Sequence, residues 1–548
     1  MTRRTSRRIL ASRPFARLLS PPPLDPVQAL LTEAVRAHQA ARYDEARQLC
    51  LDILARDVRH AEALHLLGLV LYSTGRADTA VGMFQRAIAV NDREAAYHSN
   101  LGNALHATGS FDEALAAYGQ AIALKPTYAD AHYNRANTLR DQGLPDEAIA
   151  AYQHALRLNP DFAEAHCNLG GLLRNCGRLS EAEEHLRAGL RLRPDYADST
   201  NNLAVTLQDL GRLDESMACF ERAVELAPDN AEVEYNRALT HLTAGDFANG
   251  WRLQEARWKT PKAPRAMAKP QWEGAPLHGQ RLLLHHECGF GDTIQFLRYV
   301  PLVAARGATV LLDVPRNLIR LAEWLPGVAG ISVTGEPLPA FDLHCPMMSL
   351  PLAFGTELET IPAQVPYLQI PHEAVAQAAA LEWPQRELRV GLAWSGNPAF
   401  PRDQFRSVTL SALAPLLAVP GALFYSLQMG PAAAQLEPYR DRVADLTPHI
   451  RDLADTAALL ENLDLLITVD TAVAHLAGAL GLPVWTMIPA SPDWRWLTER
   501  RDSPWYPSMR LFRQQTLGAW EPVVESLRVD LASACRRAER LMAQAAQA

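Results

Sequence analysis

Residues 95–128 read AAYHSNLGNALHATGSFDEALAAYGQAIALKPTY, and residues 129–162 repeat the pattern as ADAHYNRANTLRDQGLPDEAIAAYQHALRLNPDF. Apolar residues in each segment follow helical spacing in two successive blocks, which predicts two amphipathic helices per segment. Each segment also carries a small residue, a glycine and a proline at matching places, and the glycine and the small residue recur every 34 residues along the chain. The recurring glycines are Gly75, Gly109, Gly143, Gly177, Gly211 and Gly245, and the small residues are Gly68, Gly102, Ala136, Gly170, Ala204 and Ala238.

The repeated glycines and prolines suit the ends of these helices. A glycine ends the first helix of each unit in a left-handed conformation, and a proline begins the next unit, where its missing N–H costs little. The period and the residue types resemble the tetratricopeptide repeat. Counting a degenerate unit near the start, we predict about seven repeats that end at Trp258. Such a solenoid is expected to bind protein on its concave surface.

An asparagine also recurs every 34 residues, two positions before the small residue of the first helix. Asparagine is mildly unfavourable inside a helix, so five asparagines at equivalent positions need an explanation. One interpretation is that each side chain bonds locally to the neighbouring repeat. The other is a ladder of carboxamides that binds the backbone of an extended peptide, which resembles the asparagine ladder of the eukaryotic O-GlcNAc transferases. The column comprises Asn100, Asn134, Asn168, Asn202 and Asn236.

The pattern changes after Trp258. Strand, glycine turn, helix and strand follow one another from Arg281 onward, which is typical of a parallel sheet flanked by helices, and a break near Trp383 divides this region into two Rossmann-like halves. The predicted fold class is thus an α-solenoid followed by an α/β double Rossmann-like region. The predicted domains are a disordered basic tail (1–25), the repeat array (26–258), a linker (259–279), an N-terminal Rossmann-like half (280–384), a C-terminal Rossmann-like half (385–515) and a C-terminal helix (516–548).

Composition narrows the class of protein further. A formal charge of −8 and a pI near 6.1 argue against a nucleic-acid binder, and no apolar run is long enough for an integral membrane segment. Seven scattered cysteines without a C-x-x-C pair favour a reducing compartment, the cytoplasm. The basic tail is read as solvated, with a membrane-surface or targeting role as the alternative. The chain has no lysine after Lys269, so arginine must supply any permanent positive charge in the second half.

Three loops that follow predicted strands are candidates for the site, because ligands of open α/β sheets bind at the carboxyl ends of the strands. The first loop contains Gly289, Gly291 and Asp292. Its glycines let a substrate approach the backbone, and the following helix favours an anion. Asp292 can also simply cap a helix that begins at Thr293. The third glycine of the dinucleotide fingerprint is missing, which argues against an NAD enzyme.

The other two loops carry groups suited to phosphate. Asp470, Thr471 and Ala472 open a helix whose free N–H groups face outward from a strand end, with His475 four residues further on in either a structural or a phosphate-binding role. Ser395 follows another strand and precedes two arginines. These arginines either bind phosphate or lie on a mobile loop without a binding role. These arginines are Arg402 and Arg406.

The motifs together resemble a family. The G-x-G-D loop with Pro301, the Asp-Thr-x-x-x-His-x-Ala run from Asp470 and the downstream Pro483 resemble the heptosyltransferase-type glycosyltransferases of family 9, which have the GT-B fold, over about residues 280–515. With the repeats, the chain resembles the bacterial tetratricopeptide-repeat glycosyltransferases. The resemblance implies that Asp292 is the general base and that residues 470–472 bind the donor diphosphate.

Two departures from that family bear on the donor site. Ala472 stands where the family has glycine, and the phosphate-neutralising lysine that follows the segment corresponding to Trp394 is missing. Arg402 or Arg406 would have to replace it, with a different geometry. The tryptophan-rich region that follows is expected to be core or part of the cleft wall: Trp485, Trp494, Trp496 and Trp505.

The leading hypothesis is an inverting glycosyltransferase that needs neither a metal nor another cofactor. It would move a sugar from a nucleotide-sugar to an acceptor hydroxyl, with the repeats recruiting a protein or peptide acceptor or partner. A second hypothesis is an interaction scaffold whose glycosyltransferase half is degenerate and not catalytic. A third keeps the enzyme but makes the acceptor a cell-envelope glycan.

Overall fold

The computed structural model of the protein describes residues 25–260, 263, 267–384, 387–400 and 402–545. The chain divides into two compact units, residues 1–166 and 167–548. The predicted basic tail lies outside the described residues except for Asp25, and so does part of the predicted linker, including Lys262.

The first unit is built from paired amphipathic helices. In every pair but the first, the first helix ends at a glycine with positive φ, such as Gly109 at 78°, because a side chain is strained in that conformation; the first pair has Ala41, with a φ of 54°, at this place. The helices of this unit are α1 (Pro26–Gln39), α2 (Tyr43–Arg56), α3 (Ala61–Ser73), α4 (Ala77–Val90), α5 (Ala95–Ala107), α6 (Phe111–Leu124), α7 (Ala129–Asp141) and α8 (Pro145–Leu158), and α9 (Ala163–Asn175) begins here and continues into the second unit.

The small residue of each repeat is required by close packing between the two helices of a pair. A Cβ added at Gly102 would lie 2.6 Å from Cε1 of Tyr118, and one at Gly68 would lie 2.6 Å from Cε1 of Phe84. Tyr118 and Phe84 are almost completely buried. The aromatic ring of the second helix therefore fills the place where a side chain of the first helix would stand.

The second unit continues the repeats before the α/β region. The pairing of glycine with a large side chain recurs, since a Cβ at Gly170 would lie 2.6 Å from Cγ of Leu186. A 3₁₀ helix, Glu255–Lys259, follows the last α-helix of the repeats. The repeat helices of this unit are α10 (Leu179–Leu192), α11 (Ala197–Asp209), α12 (Leu213–Leu226), α13 (Ala231–Ala244) and α14 (Phe247–Gln254).

Two sheets follow, and all the strand pairs in them are parallel. The first sheet has the order β3-β2-β1-β4 and the second has the order β10-β9-β8-β5-β6-β7. The strands are β1 (Arg281–His285), β2 (Thr309–Val314), β3 (Val328–Val333), β4 (Leu343–Pro346), β5 (Leu388–Ala393), β6 (Ala422–Ser426), β7 (Val443–Asp445), β8 (Leu465–Val469), β9 (Val484–Ile488) and β10 (Met509–Arg513).

Helices connect these strands, and the predicted fold class, a helical repeat solenoid followed by a parallel α/β region, is confirmed. No helix in the described part of the chain is long and apolar enough to cross a membrane. The connecting and terminal helices are α15 (Phe290–Leu297), α16 (Val300–Ala305), α17 (Ile319–Ala322), α18 (Leu350–Ala353), α19 (His372–Ala379), α20 (Asp403–Arg406), α21 (Leu410–Leu413), α22 (Leu453–Glu461), α23 (Ala472–Ala479) and α24 (Glu521–Ala545).

Two glycine substitutions in neighbouring helices test the packing rule. We expect Gly102→Ala to lower the free energy of unfolding by about 1–3 kcal/mol, because the new methyl group would overlap the Tyr118 ring. Gly119 lies in α6 with no atom within 4 Å of its added Cβ, so Gly119→Ala should raise stability by up to about 1 kcal/mol. Calorimetric unfolding of the full chain measures both, and effects of equal sign would contradict the rule.

Candidate active site

The three predicted loops follow strands at the points where each sheet reverses its strand order. In the first sheet, β1 lies between β2 and β4, and in the second sheet β5 pairs with both β6 and β8. Crevices at such switch points are the usual ligand sites of open α/β sheets. The loops after β1, β5 and β8 are therefore correctly placed to form one site.

The loop after β1 differs in one detail from the prediction. Helix α15 begins at Phe290, three residues before the expected start at Thr293. The reason is that Gly289 is the N-cap and its N–H donates to Oδ2 of Asp292 at 2.9 Å, which is the half of a capping box that needs no N-cap side chain. One oxygen of the candidate base thus stabilises the start of the helix.

The other oxygen of Asp292 forms an ion pair with Arg495. This arginine is in the 3₁₀ helix Trp494–Trp496 and is only 7% exposed. Its Nη1 lies 2.7 Å from Oδ1 of Asp493, and its Nε donates to Oε1 of Gln295 at 2.7 Å. The guanidinium thus joins helix α15 to a segment that follows β9.

A second contact joins the same two regions. A Cβ added at Gly291 would lie 2.7 Å from Cδ2 of His475, so the imidazole of α23 lies directly against the backbone of α15. His475 is 3% exposed, and its Nδ1 lies 2.9 Å from the hydroxyl of Tyr506. The second glycine of the G-x-G-D loop therefore makes room for a histidine side chain.

The start of α23 presents backbone donors beside this contact. Thr471 is the N-cap, and the first intrahelical bonds are donated by Ala474 and His475 to the Thr471 carbonyl, so the N–H groups of Ala472 and Val473 precede them. Asp470 is buried, which raises its pKa, but hydrogen bonding and charge from His475 and the charge of Arg495 outweigh burial and hold the pKa below its usual value. Asp470 is therefore an anion at this helix start.

The loop after β5 brings Ser395 and Arg406 together. The N–H of Ser395 donates to Oε1 of Gln428 at 2.8 Å, which fixes the backbone at the strand end. A Cβ on Gly396 would lie 2.6 Å from Nη2 of Arg406, whose Nε donates to Oδ1 of Asp403 at 2.8 Å. One predicted phosphate-binding arginine thus lies against the backbone of the predicted loop.

Arg402 has a different partner, in the repeats. Its Nη1 lies 2.8 Å from both carboxylate oxygens of Asp209 in α11, and its φ is 65°. Asp209 is 7% exposed and also accepts from Ser491 Oγ at 2.6 Å and Arg174 Nε at 3.1 Å. The structure therefore ties Arg402 to the repeats, and its phosphate-binding role stays a prediction.

The last repeat lies beside Asp292 as well. Burial raises the pKa of Tyr235 in α13 to about 12, with smaller contributions that include those of Cys288, Asp493 and Asp292. The tryptophans nearby are mainly core, as one of the two interpretations held: Trp494, Trp496 and Trp505 are buried, whereas Trp485 is half-buried.

The asparagine column makes local bonds at two positions. In the first unit, Asn100 Nδ2 lies 2.8 Å from Nε2 of His65 in the preceding repeat. In the second unit, Asn236 Nδ2 donates to Oδ1 of Asn201 at 3.2 Å, again in the preceding repeat. These bonds agree with the local interpretation, and the peptide ladder stays a prediction. All five are half-buried: Asn100, Asn134, Asn168, Asn202 and Asn236.

Several residues of this site are absent from the sequence prediction. Arg495 and Asp493 stand in the run Asp493-Trp494-Arg495-Trp496, and a charged side chain between two tryptophans is a signal of a buried, paired group. Asp209 and Tyr235 carry no such signal, because each lies in an ordinary repeat helix and acquires its role only through contacts distant in sequence.

Comparison with protein families locates both halves of the chain. Models of the tetratricopeptide repeat match residues 31–89, 102–143, 129–162 and 161–229. The model described as glycosyltransferase family 9 (heptosyltransferase) matches residues 432–518. That segment contains the Asp470 loop, α23 and Arg495, whereas Asp292 precedes it.

Individual relatives match only part of the chain. Protein FlbA of Caulobacter vibrioides is 30% identical over 314 residues, which are 52% of this chain and 52% of FlbA, so the chain spans about half the length of that curated relative. The structure of Pseudomonas aeruginosa pilF is 18% identical, with a TM-score of 0.36, and covers 39% of this chain and 96% of pilF. The structure of a thermophilic tetratricopeptide-repeat protein of Thermus thermophilus is 26% identical, with a TM-score of 0.30. The match covers 33% of this chain and 98% of the Thermus chain.

Tetratricopeptide repeats in the N-terminal half and a family 9 segment near the C-terminus together support a tetratricopeptide-repeat glycosyltransferase.

Proposed function

We propose that this protein is an inverting GT-B glycosyltransferase that moves a sugar from a nucleotide-sugar to an acceptor hydroxyl. The contact of Gly291 with His475 carries the proposal, because it holds the Asp292 loop of one sheet beside the Asp470 helix start of the other. Glycosyl transfer requires a base on one half and, on the facing half, N–H groups that bind the phosphates of the sugar donor.

The chemistry follows from these positions. The N–H groups of Ala472 and Val473 bind the donor diphosphate, with Ser395 and Arg406 on the neighbouring loop. Asp292 takes the proton of the acceptor hydroxyl while the oxygen of that hydroxyl attacks the anomeric carbon of the donor sugar. The diphosphate leaves with the electron pair of the broken bond, and this single displacement inverts the configuration. Since N–H groups and arginine supply the positive charge, we propose that no metal or other cofactor takes part.

The repeats are proposed to recruit the acceptor, a protein or peptide. Tyr235 of the last repeat lies near Asp292, so α13 borders the place where an acceptor hydroxyl must enter. The half-buried asparagines remain candidates for contacts with its backbone. A cytoplasmic location stays a prediction from the cysteine content.

Two other functions remain to be tested. A non-catalytic scaffold is favoured by the fact that both oxygens of Asp292 already have partners, Gly289 and Arg495. Calorimetric titration with a panel of nucleotide-sugars separates the scaffold, which should bind none, from the enzyme. A cell-envelope glycan acceptor is separated from a protein acceptor by a mass-spectrometric acceptor screen.

Asp292→Asn tests the proposed base. We expect kcat to fall by about 10²–10⁴, because the amide cannot accept the proton while it can still accept the Gly289 hydrogen bond. Nucleotide-sugar binding by calorimetry should be retained. Asp502→Asn is a matched control, since its carboxylate is exposed and pairs only with Arg500 among the described residues. Unchanged turnover in Asp292→Asn would exclude Asp292 as the base.

Asp209→Asn tests whether the repeats position the loop after β5. Loss of the charge that holds Arg402 should increase amide hydrogen exchange over residues 402–407 and weaken donor binding several-fold, with a smaller effect on kcat. Asp195→Asn is the control, because its side chain is 77% exposed and lies 3.8 Å from Arg193. Equal exchange in the two variants would show that the Asp209 contact does not order the loop.

A further inference from the structure

We propose that Arg495 is a further catalytic residue, which passes from Asp292 to the donor diphosphate when a nucleoside diphosphate-sugar binds at the start of α23. One movement would then supply the cation for the leaving group and release the base from its ion pair. The inference rests on the proposed function, and it names the group that replaces the missing lysine.

The position of Arg495 between the two motifs is the first argument. Its guanidinium contacts Asp292 on the proposed acceptor side, and its charge also acts on Asp470, the residue between β8 and the N-cap of α23. The imidazole of His475, 3.8 Å from Asp470, lies in the same cluster. A cation in this place acts both on the candidate base and on the residue before the helix start, which are the two places that the exchange joins.

The local charge is the second argument. Arg495 faces three carboxylates, those of Asp292, Asp493 and Asp470, so one guanidinium is outnumbered in a largely buried cluster. Burial raises the pKa of Asp493 even though the charge of Arg495 opposes this. A diphosphate that enters this field needs a cation of its own, and Arg495 is the guanidinium already present.

The other candidate arginines are the third argument. Arg402 is held by Asp209, and Arg406 is held by Asp403. Arg495 keeps a second carboxylate, Asp493, on Nη1 at 2.7 Å while Nη2 contacts Asp292. The Asp493 contact can therefore serve as a pivot about which the guanidinium exchanges its other partner.

The step balances as follows. The acceptor O–H loses its proton to Asp292, a bond forms between the acceptor oxygen and the anomeric carbon, and the bond from that carbon to the diphosphate oxygen breaks. The electron pair leaves with the diphosphate, whose added negative charge lies beside Arg495. The resting ion pair occupies a carboxylate oxygen of Asp292, so its release on donor binding frees that oxygen for the acceptor proton and couples the base to donor binding.

The titratable groups around the pair come from several elements, and each must be considered in a pH profile. His286 and Cys288 lie on the loop after β1, and Tyr235 approaches from α13. Asp493 and Tyr506 face the guanidinium from the segment after β9. The decisive measurement is therefore ligand affinity at one pH, which does not require any of these groups to be assigned.

The test is calorimetric titration of the full chain with UDP, GDP, CDP, ADP and TDP, and then with the monophosphate of the tightest binder. In Arg495→Gln we expect at least tenfold weaker binding of the diphosphate and less than a twofold change for the monophosphate. Arg495→Lys should recover part of the loss. Arg500→Gln, which changes a half-buried arginine of the same segment that pairs with Asp502, should match the wild type.

A second variant separates catalysis from structural support. Asp292→Asn removes the carboxylate that competes for Arg495, so the diphosphate should bind several-fold more tightly than to the wild type. That gain should vanish in the double variant with Arg495→Gln. If Arg495→Gln does not fold, as judged by circular dichroism, the Asp292→Asn and Arg495→Lys affinities still decide the matter.

The outcomes distinguish the two proposals. Equal diphosphate affinity in wild type and Arg495→Gln, or no gain in Asp292→Asn, would overturn the role of Arg495 and leave the proposed function standing. Absence of binding for every nucleoside diphosphate in the panel would overturn the donor class, and with it both proposals.

Discussion

The close contact between the backbone of Gly291 and the ring of His475 is the constraint on which the site depends. It exists because Gly291 has no side chain, and a Cβ there would lie 2.7 Å from the imidazole. Through it, a helix that follows the first sheet lies beside a helix that follows the second. Together with the ion pair of Arg495 and Asp292, this contact keeps the candidate base beside the N–H groups at the start of α23. Gly291, which looks like part of a substrate loop, thus also acts as a packing surface between the halves.

Charge then decides how such a site can work without lysine. Each arginine near the two loops has a carboxylate partner at rest, Asp209 for Arg402, Asp403 for Arg406 and Asp292 for Arg495. A buried ion pair is costly to break unless a new partner replaces the old one, and an incoming diphosphate is such a partner. Among these pairs, the one between Arg495 and Asp292 lies where the two halves meet, beside the start of α23.

Sequence patterns predicted the local parts of this arrangement well. The 34-residue period predicted the repeat helices because each glycine and each small residue has its structural role within its own pair of helices, as Gly102 does where it packs against Tyr118. The loops with Asp292 and Asp470 were predictable because strand ends and helix starts are local features. Arg495 and Asp209 could not be assigned in this way, since their partners lie 203 and 193 residues away. The start of α15 was misplaced because glycine is a less common N-cap than aspartate.

The repeats of the second unit are more than a tether for the α/β region. Asp209 in α11 binds the loop after β5, and Tyr235 in α13 lies near the loop after β1. Each contact reaches a different side of the candidate site, one near the proposed phosphate loop and one near the proposed base. Because both come from the same repeat array, a movement of these helices would act on both loops of the candidate site at once. Packing therefore couples the repeats of the second unit to the organisation of the site.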